Sequence, residues 1–488
     1  MTREILLNVG PRETRAALVE NGTAVELHVE RANRRGLVGN LYKGRVSRVL
    51  PGMQAAFIEL GLERTAFLHA ADIARAVPAE SEATPPATED INRLVSPGDE
   101  ILVQVLKDPI GTKGARLTTF ASLPSRLLVY MPHGGGVGVS SRIEDPVERE
   151  RLRAAVRELA PQRGGGYIVR TAAAGAAAEA LQADLLYLQK LWEHVQQAYR
   201  EQATGTLVHE DLPLALRVLR DELGPEVRRV LVDAAPEHTR MQAFAQDFIP
   251  EAAGRLEFYN GTRPLFDLHG VEEEIARALE QRVELKSGGY LVIDQTESMT
   301  TIDVNTGGFV GHRNLEDTIF RTNLEAAVAI ARQLRLRNLG GIVIIDFIDM
   351  EDAGHREQLL AALSGALAAD RAQTEIAGIS SLGLVEMSRK RTRESLEHLL
   401  CEPCRHCGGR GYLKSIETVC HEIYREVLRQ SRQFSVEKIL ILAHPEVVER
   451  LIDEEAPVLA ELEVQVGKPI RLQAERLSGV DQYDVVLA

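Results

Sequence analysis

The sequence predicts a multidomain protein with α+β and α/β parts, because different kinds of segment follow one another along its 488 residues. Short, glycine-punctuated strands fill 36–120, and mixed helices and strands fill 121–280. After 281, long helices alternate with apolar strands. A cysteine-rich segment at 401–414 and a small α/β region at 415–488 complete this organisation.

Local signals place the elements along the chain. Asn21-Gly22 between two apolar stretches predicts a tight hairpin within the strands of residues 3–30. The Pro-, Glu- and Ala-rich stretch 77–98 predicts a surface insertion in a loop. The pattern then predicts, in order, a helix at 145–159, a strand at 167–170, a helix at 177–202, strands at 229–232, 290–293 and 299–304, a helix at 315–336 that ends before Gly340-Gly341, and a strand at 341–347.

Charge and hydropathy exclude some classes of protein. Lys and Arg number 57 against 71 Asp and Glu, a formal charge of −14, which argues against unspecific coating of nucleic acid. A local basic stretch exists nevertheless, since residues 31–50 hold six Lys and Arg and no acidic residue. No apolar run reaches the roughly 18 residues of a membrane span, and the N-terminus has no signal core. We therefore expect a cytoplasmic protein with no membrane partner.

Residues 36–120 predict a small Greek-key barrel of the OB type. Polar and apolar residues alternate through 42–49 and much of 54–60, and glycines punctuate five short strands. Such barrels bind single-stranded nucleic acid by stacking bases on aromatic rings beside a basic groove. The candidate contacts are the rings of Tyr42, Phe57 and Phe67 and the cations Lys43, Arg45 and Lys113. Each ring could equally fill the barrel core.

Two separated acidic residues predict a metal site between 290 and 350. The two-residue period of a strand puts Asp303 and Asn305 on one face, and Asp346 ends the apolar strand that begins at 341. Ligand sites of open α/β sheets form at the carboxyl ends of strands. Carboxylates that converge there repel one another unless a hard cation such as Mg²⁺ joins them. The alternative is that these acids cap helices or pair with Arg332, Arg335 or Arg337.

Cys401, Cys404 and Cys407 form two overlapping CxxC units before a glycine-rich turn. Thiolates at this spacing can grip one zinc ion, whereas a cytoplasmic chain seldom forms disulfides. The remaining ligands are open: Cys420, His398, His406, His421 and a second chain are all candidates. Reduced, unliganded thiols are the alternative.

Taken together, these pieces resemble the ribonuclease E/G family over essentially all 488 residues. The motifs that carry the resemblance are residues 42–46, 55–58, 302–305, 344–350, 383–389 and 404–407. The resemblance implies an RNase H-like domain (1–35 and 213–280), an inserted S1-type OB-fold (36–120) and a 5′-sensor domain (121–212). It further implies a DNase I-like catalytic domain (281–400), a zinc-link segment (401–414) and a small C-terminal domain (415–488).

The resemblance also implies site residues. Asp303 and Asp346 would coordinate catalytic Mg²⁺ with Asn305 beside them, and Phe57 and Phe67 would lie on the RNA face. Arg170, Thr171 and the Val129 backbone would bind a 5′-monophosphate, although Gln373 stands where the longer family members have a further basic residue. Cys404 and Cys407 would share a structural Zn²⁺ with a partner chain in a homodimer or homotetramer, with Cys401 as an additional thiol. Read alone, Arg170-Thr171 would suggest a surface arginine beside a capping threonine.

The activity implied is hydrolysis within single-stranded, often A/U-rich RNA, leaving a 5′-phosphate and a 3′-hydroxyl. Ribosomal RNA precursors, at the 5′ end of 16S RNA, and messenger RNA are the substrates expected by resemblance. Three features resemble the ribonuclease G branch of the family: the chain ends soon after the small domain, and the 392–395 motif and the residues around Cys401 match that branch. Two alternative functions remain. A non-catalytic RNA-binding protein would leave Asp303, Asn305 and Asp346 without a reason to converge. A metal phosphodiesterase for DNA or nucleotides would not need the OB-like domain.

Overall fold

A computed structural model describes residues 2–33, 36–74, 90–109, 114–160, 165–224, 226–307, 315–391, 393–434, 437–475 and 479–487. It divides into two compact units, 1–397 and 398–488. The described residues form five sheets, and a separate hydrophobic core packs against each of them. No helix among them is both long and apolar enough to cross a membrane.

The first sheet joins the N-terminal region to residues far along the chain. Its strands are, in spatial order, Leu256–Phe258, Val227–Val232, Arg3–Val9, Glu13–Glu20 and Thr23–Arg31. The predicted hairpin is confirmed, because Glu20 pairs with Thr23 and both Asn21 and Gly22 have positive φ. The helices of this region are Leu214–Glu222, Ala235–Phe248, Pro250–Ala253, Leu265–Leu268 and Val271–Arg277. The chain on both sides of the barrel therefore builds one sheet.

The barrel is made of five strands of a six-stranded sheet. The strands of this sheet are, in order, Thr206–His209, Leu41–Leu50, Ala55–Glu59, Ala66–His69, Arg116–Thr118 and Glu100–Lys107, and the second and the last of these also pair, which closes the barrel. Short helices at Pro51–Met53, Ala70–Asp72 and Ile91–Leu94 connect them. The predicted insertion at 77–98 lies largely outside the described residues, but its last part is not a surface loop, because Ile91 and Val95 are buried in the barrel core.

The segment after the barrel is a four-stranded sheet packed on two helices. Its strands are, in order, Val137–Val139, Gly166–Val169, Leu128–Met131 and Leu123–Pro124. The helices are Pro146–Leu159, which Asp145 caps by accepting a hydrogen bond from the Val147 amide, and Ala178–Glu201; a short helix spans Thr171–Ala173. The predicted helices at 145–159 and 177–202 are confirmed to within one residue at each end.

A six-stranded mixed sheet follows, and it carries the two aspartates. Its strands are, in order, Arg282–Glu284, Tyr290–Gln295, Met299–Asn305, Gly341–Asp346, Val385–Arg389 and Thr374–Ile379. The helices Leu315–Leu336 and Ala353–Leu367 contribute to the same core. The predicted helix at 315–336 is confirmed at both ends.

The second unit is smaller. Its strands are, in spatial order, Ile470–Ala474, Ile439–Ala443 and Tyr483–Leu487, and its helices are Ile416–Gln433, Pro445–Ile452 and Ala456–Val466. The helix Leu396–Leu400 includes residue 397, at which the first unit ends along the chain. The small α/β region predicted after residue 415 is thus present.

Candidate active site

Asp303 and Asp346 lie directly opposite each other on neighbouring parallel strands. Met299–Asn305 pairs with Gly341–Asp346, and in that register Asp303 faces Asp346. Neighbouring strands lie about 4.8 Å apart, so the two carboxylates can reach one ion. Both side chains are exposed. The Asn305 side-chain amide donates to Asp303 Oδ2 over 2.8 Å, which orients that carboxylate.

Side-chain alternation decides which face of the sheet carries these groups. Ile302 and Val304 on one strand, and Val343 and Ile345 on the other, are buried in the core shared with the two long helices. The intervening residues therefore point to the opposite, open face, where Ile342 is 52% exposed. A polynucleotide can approach the aspartates from this face.

The arginines that could have neutralised the aspartates are engaged elsewhere. Arg335 binds Glu20 and Glu26, Arg337 donates to Gln333 and to the Glu280 carbonyl, and Arg332 pairs with Glu274. Across the described ranges, neither Asp303 nor Asp346 forms an ion pair. Two convergent, unpaired carboxylates on an open face suit a hard divalent cation.

The cysteine segment offers two thiols from one loop. Cys404 and Cys407 interact through their side chains, and the Gly411 amide donates to Cys407 Sγ over 3.3 Å. That amide lowers the pKa of the Cys407 thiol, which favours the thiolate that zinc requires. Cys401 is exposed. Cys420, a candidate further ligand, is excluded, because it is buried in the core of the second unit, where burial raises its pKa to about 11.

Phe57 and Phe67 form an aromatic pair on the outside of the barrel. They are cross-strand partners, their ring centroids lie 6.4 Å apart, and the rings meet edge to face. Both are only partly buried, whereas Ala56, Ile58, Ala66 and Leu68 beside them fill the core. The rings are thus available to a ligand, and the adjacent strand adds the exposed cation Arg45.

The structure corrects the prediction for Tyr42 and shows that Lys43 already has partners within the protein. Tyr42 is 5% exposed and packs in the barrel core, so its ring offers no surface for stacking. Lys43 Nζ pairs with Glu100 at 3.2 Å, donates to the Gln202 carbonyl and lies 5.2 Å from the centre of the Tyr199 ring. A phosphate would have to displace these partners. Lys113 lies outside the described residues.

The predicted phosphate-binding residues surround the carboxyl end of the strand Gly166–Val169. Thr171 is exposed, and its hydroxyl lies 3.1 Å from the Ser140 hydroxyl. Val129 is paired with Ile168 within the sheet. The Arg170 guanidinium donates to the Ser125 carbonyl and binds Asp221 at 2.6 Å. A 5′-phosphate would therefore compete with Asp221 for Arg170.

Sequence reasoning missed two groups of contacts. Arg142 donates to the carbonyls of Asp370 and Arg371. These contacts bring the segment that leads to the exposed Gln373 towards the predicted phosphate-binding residues. Among the described residues, Glu26, His28 and Glu222 are the group whose ligand atoms all lie within 4.8 Å. Arg335 already binds Glu26, and the Arg393 guanidinium contacts His28 Nδ1. Both sets join residues hundreds of positions apart, so no local pattern signals them.

Two protein-family models match the segments that hold the two aspartates and the barrel. The Ribonuclease E/G family model matches residues 122–392, and the S1 RNA binding domain model matches residues 37–118. The chain is 53% identical to Ribonuclease G of Salmonella typhimurium (strain SL1344) and to Ribonuclease G of Escherichia coli (strain K12), with full coverage of each chain. The chain belongs to the ribonuclease E/G family. Ribonuclease G of Haemophilus influenzae is 50% identical, with 99% of each chain covered.

Family membership makes the chain an endoribonuclease, as the resemblance implied. The expected S1-type OB-fold is confirmed as well, because the matched segment 37–118 contains the closed barrel except for its edge strand Thr206–His209. The mixed α/β content of the remaining domains also agrees with the prediction. A non-catalytic RNA-binding protein is therefore excluded.

The aromatic pair leads to a first prediction. We expect Phe57→Ala with Phe67→Ala to weaken binding of single-stranded RNA at least tenfold, because base stacking contributes about 1–3 kcal/mol per base. The melting temperature should fall only slightly, since neither ring belongs to the core and an edge-to-face pair contributes about 1 kcal/mol. Fluorescence anisotropy and thermal unfolding measure the two effects.

A matched control removes two exposed rings elsewhere, Phe258→Ala with Phe434→Ala, which are 43% and 58% exposed. RNA binding should survive these changes. A collapsed melting temperature in the Phe57/Phe67 variant would instead show that the pair holds the barrel together.

Proposed function

We propose that the chain is a magnesium-dependent endoribonuclease that hydrolyses single-stranded, A/U-rich RNA to 5′-phosphate and 3′-hydroxyl ends. The observation that carries this proposal is the register that sets Asp303 against Asp346 on an open sheet face. The two acids fit a Mg²⁺ ion, because this ion prefers oxygen ligands. No arginine among the described residues pairs with either carboxylate, so both can bind the ion. The full-length similarity to proteins named Ribonuclease G supports the substrate class.

The chemistry divides between the ion and the side chains. When bound, Mg²⁺ supplies activation of water and neutralisation of charge on a phosphodiester. Asp303 and Asp346 would hold the ion, and Asn305 orients the Asp303 carboxylate through its 2.8 Å hydrogen bond. The second N–H of the Asn305 amide remains to donate to a phosphate oxygen.

The preference for 5′-monophosphorylated RNA rests on Arg170, Thr171 and Val129. An arginine can bind phosphate through two hydrogen bonds, and the exposed Thr171 hydroxyl adds another donor. Asp221 competes for Arg170, and Gln373 contributes no charge. We therefore expect a preference for the monophosphate rather than a strict requirement. Maturation of the 16S ribosomal RNA 5′ end and messenger RNA decay are the processes we propose.

We propose further that Cys404 and Cys407 bind half of a structural zinc site. In the described part of the chain, the three cysteines of this loop do not come together as a three-ligand group. Two thiols per chain fit a tetrahedral Zn²⁺ that a partner chain completes. The site would then join protomers in a homodimer or a homotetramer.

We also propose identities for the individual domains. The first sheet has three antiparallel strands followed by two parallel strands from residues 227–258. This strand order supports an RNase H-like domain built from residues 1–35 and 213–280. We assign 121–212 as the 5′-sensor and 281–400 as a DNase I-like catalytic domain. The zinc link spans 401–414, and the small domain spans 415–488.

The test is cleavage of a 5′-monophosphorylated, single-stranded A/U-rich RNA in Mg²⁺ or in EDTA. We expect cleavage in Mg²⁺ only, with products that bear 5′-phosphate and 3′-hydroxyl ends. The same RNA with a 5′-hydroxyl should be cut more slowly. Cleavage in EDTA, or 2′,3′-cyclic phosphate ends, would refute the metal-dependent mechanism.

A further inference from the structure

The site described above leaves unused the residues that follow Asp346 in the 344–350 motif and the start of the 383–389 motif, and these two segments meet in space. Residues 347–350 follow Asp346, and residues 379–385 form the hairpin between the last two strands of the same sheet. Together with the helix Ala353–Leu367 they line a hollow of about 400 Å³. That volume lies within the range of ligand-binding cavities, about 300–1,000 Å³. The hollow begins at the residue after Asp346, at the carboxyl end of that strand, and lies on the helix side of the strand end, since Phe347 and Leu359 belong to the core.

The floor of the hollow is apolar and fixed. Phe347, Leu359 and Val385 are buried parts of the sheet–helix core and line it from below. The buried Asn323 side chain accepts from the Ile348 amide and donates to the Ile348 carbonyl, which holds the loop after Asp346 in place. A flat apolar ring could therefore enter without rearrangement of the backbone.

The rim carries two opposite charges that do not pair with each other. Asp349 and Arg356 both line the hollow, and both are exposed. Within the described ranges, the Asp349 carboxylate has no hydrogen-bond or ion-pair partner, and Arg356 makes one contact, a 3.3 Å hydrogen bond to the Glu351 carbonyl. An acceptor and a cation thus both remain available at the mouth.

The hairpin tip supplies the third side. Gly383 has a φ of +85°, so the turn projects its neighbour Leu382, which is 80% exposed although it is a large apolar residue. A Cβ at Gly383 would lie 3.4 Å from Asp349 Oδ1, which shows how closely the tip approaches the carboxylate. Leu382 can cover a ring that enters the hollow.

We propose that this hollow binds one unstacked nucleobase of the RNA substrate, close to the cut, and selects a base that bears an exocyclic amino group. Asp349 carries the selectivity, because an ionised carboxylate only accepts hydrogen bonds and the amino groups of adenine, cytosine and guanine donate them. Uracil sets two carbonyl oxygens beside its single N–H and is disfavoured. Arg356 binds a flanking phosphate without regard to sequence. The proposal rests on the proposed function, since it places the reacting strand at Asp303 and Asp346.

The experiment is cleavage of a 5′-monophosphorylated RNA pool with a randomised single-stranded segment, followed by sequencing of the new ends. The wild-type protein should prefer amino-bearing bases over uracil at one position near the cut. Asp349→Asn replaces the pure acceptor by an amide that both donates and accepts, so this preference should fall about tenfold, the effect of one good base contact. Leu382→Ala should lower cleavage of all sequences without changing the preference.

Two controls accompany these variants. Asp247→Asn, an exposed change on the helix Ala235–Phe248, should leave the profile intact. The Asp303→Asn variant should not cleave the RNA pool. Cleavage by this variant would overturn the proposed function rather than the base-binding hollow. An unchanged base profile in Asp349→Asn would overturn the base-binding hollow. Complete loss of cleavage in that variant would overturn it as well, since Asp349 would then belong to the chemistry.

Discussion

Replacing Asp303 by Asn is expected to lower the rate of RNA cleavage by at least about 1,000-fold, which corresponds to about 4 kcal/mol of transition-state stabilisation. The substitution keeps the shape of the side chain and removes the charge that holds the cation. Asp303 is exposed and lies outside the core, so the fold should persist. RNA affinity should change less than about twofold, because we expect the aromatic pair and the exposed Arg45 of the barrel to supply most of the binding.

A suitable control is Asp294→Asn on the adjacent strand. Asp294 pairs in register with Thr301, two residues before Asp303, and its carboxylate accepts a hydrogen bond from Gln281. Cleavage by this variant should remain within a few-fold of the wild type. If Asp303→Asn cleaved as well as Asp294→Asn, the catalytic assignment of Asp303 would be wrong.

Replacing Cys404 and Cys407 together by Ser is expected to release zinc and to yield smaller oligomers. Structural zinc contributes about 10–16 kcal/mol of binding free energy in small sites, so its loss should dissociate chains that share the ion. Metal analysis of the purified protein should fall from one zinc per two chains to none. Light scattering should show the accompanying decrease in mass.

The exposed Cys401 provides the matched single change. Cys401→Ser should keep zinc and oligomeric state, because Cys407 interacts with Cys404 and the Gly411 amide lowers the pKa of the Cys407 thiol, which favours the thiolate that binds zinc. Zinc retained in the Cys404/Cys407 variant but lost in Cys401→Ser would reassign the ligands.

Strand alternation explains most of what the sequence predicted about the site. The same two-residue period sends Asp303 and Asn305 to the open face and Ile302 and Val304 to the core. It also sends Phe57 outward. Applied to Tyr42, it would have placed the ring in the core, because Tyr42 is in phase with the buried Val46.

The contacts that sequence reasoning missed depend on residues far away in the chain. Lys43 is in phase with the exposed Arg45, but Glu100 and Tyr199 cover it. Arg170 meets Asp221 from a helix of the neighbouring core. No local period encodes such pairs, so they emerge only when the domains are assembled.

We propose that Asp303 and Asp346 together hold one divalent cation, and the catalytic role of both residues depends on it. The most direct measurement is titration of the protein with Mn²⁺, followed by electron paramagnetic resonance, for the wild type and for Asp346→Asn. We predict one site in the wild type that competes with Mg²⁺, and at least tenfold weaker binding in the variant, as expected when one of two charged oxygen ligands is removed. Equal Mn²⁺ affinity in the two proteins would contradict the claim.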